Sequence, residues 1–451
     1  MKVHVSDVHS MIARRTILAV AVCLLVFGSQ RFEAAAQSVT INRNRSGLSL
    51  SGQRERGREM LKQIKEDISK NYYDPTFHGI DLDARFKEED ERIKQADSSG
   101  LIYGIIAHAL LAFNDSHTYF IPPEQFARTD YGWTMQMIGD ACYVTSVKPG
   151  SDAEAKGLKA GDRVVSMFDV VPTRASTWML RYLYYRLRPQ PSLQVVVQSL
   201  DEEPRQLDLA AKVMEGKPAD EFMKEEVHTY RHHYYEMGDD LFIWRMPRFD
   251  LTESEVDGMM KKVGQRRTLI LDLRSNGGGY EIMLKRLLGY FFDHDVKIGD
   301  IKGRKDLKPV IAQTRGDKVF KGNLVVLVDS NSGSASELFA RVIQLEKRGT
   351  VIGDRSAGAV MRARHYQHQY EREGASLHIV PYGVSITEDD IIMTDGKSLE
   401  NVGVSPDQLL LPTPADLAHK RDPVLSRAAE LAKVKLAPEE AGALTMLEWK
   451  R

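Results

Sequence analysis

Two stretches constrain the fold of this chain more than any others: Thr268-Leu269-Ile270-Leu271-Asp272-Leu273 and Asn323-Leu324-Val325-Val326-Leu327-Val328. Each is a nearly unbroken apolar run of strand length. A strand with one wet face alternates apolar and polar residues. A run without alternation suits a strand covered on both faces, as in a parallel sheet between helical layers. Each run passes through a turn of small residues into a helical pattern, roughly Glu281–Phe292 and Ala335–Lys347. The expectation is a buried α/β sheet with both turns at its carboxyl edge.

The chain has 451 residues, enough for several domains. Hydrophobic residues make up 42% and charged residues 28%, which excludes a wholly disordered chain and a polytopic membrane protein. Lys plus Arg is 62 against 63 for Asp plus Glu, so the net charge of −1 gives no electrostatic reason to expect nucleic acid as a partner.

Five parts are expected. Residues 1–36 read as a signal peptide: Arg14-Arg15, an apolar run from Thr16 to Gly28, then Ala34-Ala35-Ala36. That predicts export to a bacterial periplasm or the exterior, with a membrane anchor if the signal is kept; Met1 and Met11 are both candidate starts. Cleavage removes Cys23 and leaves Cys142 alone, so the fold must rest on packing. Residues 37–128 form an N-terminal helical segment, with Met60, Leu61, Ile64 and Ile68 on one face and further helices at Leu82–Gln95 and Gly100–Phe113. Residues 129–213 turn to short β runs (Cys142–Val147, Arg163–Met167, Leu193–Gln198) around one helix, Ser176–Leu187. Residues 214–435 are the α/β core, closing on a helix at Pro423–Val434, and 436–451 a C-terminal tail.

The segment with most chemistry is Asp329-Ser330-Asn331-Ser332-Gly333-Ser334-Ala335-Ser336-Glu337-Leu338. A serine where a buried strand turns into a helix is presented beside free backbone N–H groups, which is what a nucleophile elbow needs. Ser334 and Glu337 also spell a capping box, which needs no catalysis. After the other buried strand comes Asp272-Leu273-Arg274-Ser275-Asn276-Gly277-Gly278-Gly279, a backbone able to turn sharply and expose N–H groups. It lacks the Lys-Ser/Thr ending of a P-loop. No metal site or cofactor is expected. His232-His233 reads as packing or surface, His365 and His368 lack acidic or thiol partners, and Arg362, Arg364 and Arg372 read as a solvated face.

Pro149-Gly150-Ser151 and Gly157-Leu158-Lys159-Ala160-Gly161-Asp162 resemble the signature of a PDZ domain. That likeness implies a peptide groove formed by Tyr131, Gly132, Trp133, Met135 and Met137. The two turns together resemble the S41 serine peptidases of the carboxy-terminal processing protease and tricorn group. Val351-Ile352-Gly353-Asp354, Gly403-Val404-Ser405-Pro406-Asp407 and Asp422-Pro423 extend the likeness. It implies a mixed α/β multidomain chain with a ClpP/crotonase-like core, a PDZ β domain and an N-terminal helical segment. Ser334 is then the nucleophile, and the N–H of Ala335 with that of Gly278 or Gly279 makes the oxyanion hole. The lysine base of the Ser/Lys members would fall at Ala359, so no lysine base is expected. The tricorn-like pattern offers Asp115-Ser116-His117-Thr118 and Leu399-Glu400-Asn401: His117 as base, Ser116 as bridge, Glu400 behind it. The implied activity is that of an exported serine endopeptidase on polypeptide substrates recognised by their C-termini. The competing reading is a silent relative that binds peptide or lipid.

Overall fold

The computed structural model describes residues 49–123, 127–216, 230–264, 266–304, 307–372 and 378–449. The expected signal peptide and Cys23 lie outside these residues.

The two apolar runs are central strands of a seven-stranded sheet. Its order is Gln408–Leu409, Thr350–Gly353, Asn323–Val328, Thr268–Asp272, Leu241–Arg245, His233–Met237, Leu447–Glu448. The first five are mutually parallel; His233–Met237 runs antiparallel to them, and Leu447–Glu448 antiparallel to His233–Met237. Both faces are covered, as the unbroken runs require. Phe242, Trp244, Leu269, Leu271 and Val326 pack against the helices Glu253–Val263, Glu281–Leu288 and Ala335–Leu345. Leu241, Ile243, Ile270, Val325 and Leu327 pack on the other side, against the helix Pro423–Leu431. Residues 436–449, set apart in the sequence as a tail, fold back onto this sheet. Leu447–Glu448 forms its edge strand, and Trp449 N–H donates to His232 O at 2.8 Å.

A second, antiparallel sheet is built on a long hairpin, Met361–Arg372 with His378–Met393. Tyr119–Ile121 and Val296–Lys302 also pair with the longer strand. The basic stretch read as a solvated face is thus one arm of this hairpin. The helices Leu50–Asn71, Leu82–Gln95 and Ser99–Leu111 form beside it. Ser49 caps the first by accepting from Gly52 N–H, and Asp81 caps the second by accepting from Ala84 N–H. Met60, Ile64 and Ile68 meet Phe120, Val384 and Ile386 of the sheet in one core.

The third sheet orders Trp133–Ile138, Ala141–Val147, Arg163–Met167, Ser192–Gln198 and Arg205–Ala210, all antiparallel. The chain enters and leaves this insertion through one ladder, Ala127–Asp130 against Lys212–Glu215. The expected helix Ser176–Leu187 divides into an α-helix, Thr177–Tyr182, and a π-turn, Leu183–Leu187. Cys142 is buried in the insertion, and burial pushes its thiol up to about 12.

Candidate active site

Ser334 sits where the strand Asn323–Val328 turns into the helix Ala335–Leu345. Its φ of 54° and ψ of −117° put a side-chain-bearing residue in a strained conformation. Ser275, Asn114 and Asn401, on the other turns around the site, also have positive φ. Glu337 holds the serine turn in place, but not by the reciprocal cap expected from the sequence. The Ser334 hydroxyl makes no cap bond. The fully buried Glu337 carboxylate instead accepts from Ser334 N–H (3.0 Å), Ser356 Oγ (2.6 Å), Gly358 N–H (2.7 Å) and Ala359 N–H (2.9 Å). Burial raises its pKa, and the four donors oppose the shift. One carboxylate thus ties the Ser334 turn to the loop at 356–359, leaving the hydroxyl free.

His117 arrives from the turn between the helix Ser99–Leu111 and the strand Tyr119–Ile121. Its Nδ1 is 2.6 Å from Ser116 Oγ, which donates to Glu400 Oε2 at 2.9 Å. Glu400 also accepts from Ser116 N–H and Val360 N–H, each at 2.7 Å. With the Ser116 proton directed to Glu400, the Ser116 oxygen is the acceptor for Nδ1–H. That assigns the tautomer that leaves Nε2 as the proton acceptor. Burial lowers the His117 pKa, against the opposing field of Asp115. Burial also raises Glu400, to about 7, against its three donors.

His117 and Ser334 line one cavity of 360 Å³, with Gly279, Ala335 and Val360 beside them. Their side chains form no direct hydrogen bond here. Catalytic pairs are often loose without substrate. No lysine lines the cavity, and Ala359 O accepts the Ser334 N–H at 2.9 Å. Arg362, expected on a solvated face, borders the cavity instead, held by Asp389 (2.7 Å) and Glu281 (3.1 Å).

The glycine turn separates the two oxyanion candidates. The Gly278 N–H is taken by Asn276 Oδ1 at 2.8 Å, so it is not free to bind an oxyanion. The N–H groups of Gly279 and Ala335 donate to no acceptor among the described residues, and both residues line the cavity. Gly278 matters for space: a Cβ there would lie 2.6 Å from Ser334 Cβ. The fully buried Asn276 also donates to Met246 O (2.7 Å), and its carbonyl accepts from Gly333 N–H (2.9 Å) and Ser336 Oγ (2.8 Å). No motif in the sequence pointed to this second clamp.

The residues expected to form a peptide groove are placed differently. The side chains of Tyr131, Trp133, Met135 and Met137 lie in the insertion's own core. Gly132 N–H is bound to Asp130 Oδ1 at 2.8 Å. Their strand is a sheet edge facing the α/β core. Gln136 donates to Asp329 (2.7 Å), and Ser330 Oγ to Met137 O. Nearby, Arg174 pairs with both oxygens of Asp354. His232 is a packing residue, accepting from Trp244 Nε1 at 3.1 Å. Among the described residues no cluster of three metal-ligating side chains occurs, and no helix is long and apolar enough to cross a membrane.

Residues 242–410 match the peptidase family S41. The tail-specific protease of Haemophilus influenzae is 25% identical over 356 residues, 72% of this chain and 48% of the relative. The C-terminal processing peptidase, chloroplastic, of Tetradesmus obliquus is 25% identical over 390 residues, 78% of this chain and 77% of the relative. This chain thus spans about half the length of the Haemophilus protein. Among solved structures, mature CPAF is similar in fold, with a TM-score of 0.59 at 14% identity over 81% of this chain and 94% of that one. Residues 242–410, which make up most of the α/β core, are thus similar to the peptidases of family S41.

Proposed function

We propose that this chain is a serine endopeptidase in which Ser334 is the nucleophile and His117 its general base. Ser116 and Glu400 orient the imidazole and stabilise its protonated form. The observation that carries the reading is the unbroken Glu400–Ser116–His117 relay opening into the cavity that Ser334 lines. His117 Nε2 takes the Ser334 proton as the hydroxyl oxygen attacks a peptide carbonyl, then returns it to the leaving amine. Water resolves the acyl-enzyme by the same steps in reverse. The N–H groups of Gly279 and Ala335, the latter at a helix N-terminus, hold the oxyanion. The tail-specific and C-terminal processing names of the relatives favour substrates recognised by their C-termini, with the insertion a PDZ domain in that role. Arg14-Arg15 and the apolar run after them favour an exported protein.

A second reading, a silent peptide- or lipid-binding protein, draws on the missing Ser334–His117 bond. Labelling of the purified protein with a fluorophosphonate, together with turnover of unstructured peptides, separates the two. The endopeptidase labels and cleaves, and Ser334→Ala abolishes both. Absence of labelling and turnover in the wild type assigns the binding role.

A further inference from the structure

The turn that carries His117 contains a carboxylate that the proposed relay does not use. Asp115 Oδ1 accepts three hydrogen bonds: from His117 N–H (2.9 Å), Thr118 N–H (2.7 Å) and the Thr387 hydroxyl (2.7 Å). Its Oδ2 accepts a fourth, from the Tyr72 phenol (2.9 Å). Two donors belong to its own turn, one to the long hairpin and one to the end of the helix Leu50–Asn71. Tyr72 is fully buried, and next to it Tyr73 N–H donates to Thr387 O at 3.0 Å. The hairpin strand that supplies Thr387 continues through Glu388, Asp389 and Ile391, which border the cavity. Asp115 does not border it.

We propose that Asp115 is the positioning residue of the relay, locking the Ser116–His117 turn to the hairpin and the N-terminal helix and placing its carboxylate beside the relay. The proposal rests on the endopeptidase reading and acts through His117, not on substrate. A free turn would sample orientations in which Nε2 misses Ser334, and small misplacements of a catalytic group are costly. The charge acts on both titrating members. It opposes the lowering of His117 and adds to the raising of Glu400. It also faces Tyr72 and Tyr73 on the helix side; beyond it, His365 acts on His117, and Asp74 and Asp390 on Tyr73. The working relay needs Glu400 ionised and His117 neutral. A charge that raises both pKa values therefore holds the acid limb of activity at higher pH.

Two substitutions separate geometry from charge. Asp115→Asn keeps an oxygen for the three donors on Oδ1 and turns an amide towards the Tyr72 oxygen, which can accept. Asp115→Ala removes both. In peptide hydrolysis, Asp115→Ala is expected to lower kcat by about tenfold or more with little change in KM. Asp115→Asn is expected to keep kcat within about threefold while the acid limb of kcat/KM moves down by about half a pH unit or more. A wild-type kcat in Asp115→Ala, or an unmoved limb in Asp115→Asn, overturns the proposal. Should the alanine variant fail to fold, the asparagine profile decides. His117→Ala, measured alongside, keeps the two readings apart. If it retains activity, the relay reading fails; if it is inactive and the Asp115 variants behave as wild type, only the positioning role fails.

Discussion

The two turns that meet at the cavity are built in opposite ways. The Ser334 turn is made by its neighbours: a buried strand before it, a helix after it, and Glu337 three residues on gathering the loop at 356–359. The His117 turn has Asp115 as its local support, accepting from His117 N–H and Thr118 N–H, but is otherwise held from afar. Its partners, Tyr72, Thr387 and Glu400, come from three distant segments, and Ser116 and Glu400 are 284 residues apart. A serine placed by local structure is as durable as the core beneath it. A histidine placed by long-range hydrogen bonds can be lost while the fold survives.

Substitutions can break or sharpen that contrast. The largest effect on activity is expected from His117→Ala, which should lower kcat/KM by about 10³-fold or more and leave the unfolding midpoint close to wild type. A midpoint collapse would contradict the idea that the relay turn is dispensable to the fold. Glu337→Ala should do the reverse. Removing a buried carboxylate leaves the Ser356, Gly358 and Ala359 donors unpaired, while Ser334 N–H keeps Ala359 O, and is expected to cost about 3–5 kcal/mol in denaturant unfolding. A loss under about 1 kcal/mol would mean that the nucleophile turn is not held as described.

Glu400→Gln should lower kcat by about 10- to 100-fold through the mispolarised relay, a smaller effect than losing the base itself. It also carries a signed stability effect. An acid raised from 4.5 to about 7 on folding binds more protons in the native state, so it costs stability as pH rises through that window. The glutamine variant should therefore gain thermal stability relative to wild type more at pH 8 than at pH 4; the opposite order would reject the buried charge. The smallest effect is expected from Arg174→Ala. Removing the partner of Asp354 should loosen the insertion by about 1–3 kcal/mol. Proteolysis in the neck at 127–130 and 212–215 would report it, with the α/β core unfolding as before.

The same contrast explains what was legible in the sequence. The parallel sheet could be read because its strands carry no polar alternation, and Ser334 because its turn lies between two legible elements. Glu337 was visible as a cap, but its role as a hub for the loop at 356–359 depends on contacts that no short window contains. The hairpin arm Met361–Arg372 was missed because its arginines and histidines mask an alternating strand. Ser116, His117 and Glu400 came only through resemblance, and Asp115 and Thr387 were not singled out. The burial of Trp133, Met135 and Met137 in the insertion's own core was not legible either, because it depends on which face of an edge strand they take. The backbone and Gln136 of that strand meet the α/β core.

The long reach of the relay has a consequence for biosynthesis. The ribosome releases His117 first, Ser334 much later and Glu400 later still. A nascent or truncated chain that has already formed the serine turn still lacks the carboxylate that polarises its base. It also lacks the strand Gln408–Leu409, which closes the parallel end of the sheet. Order of synthesis alone thus keeps the proposed hydrolytic centre incomplete until Glu400 has emerged.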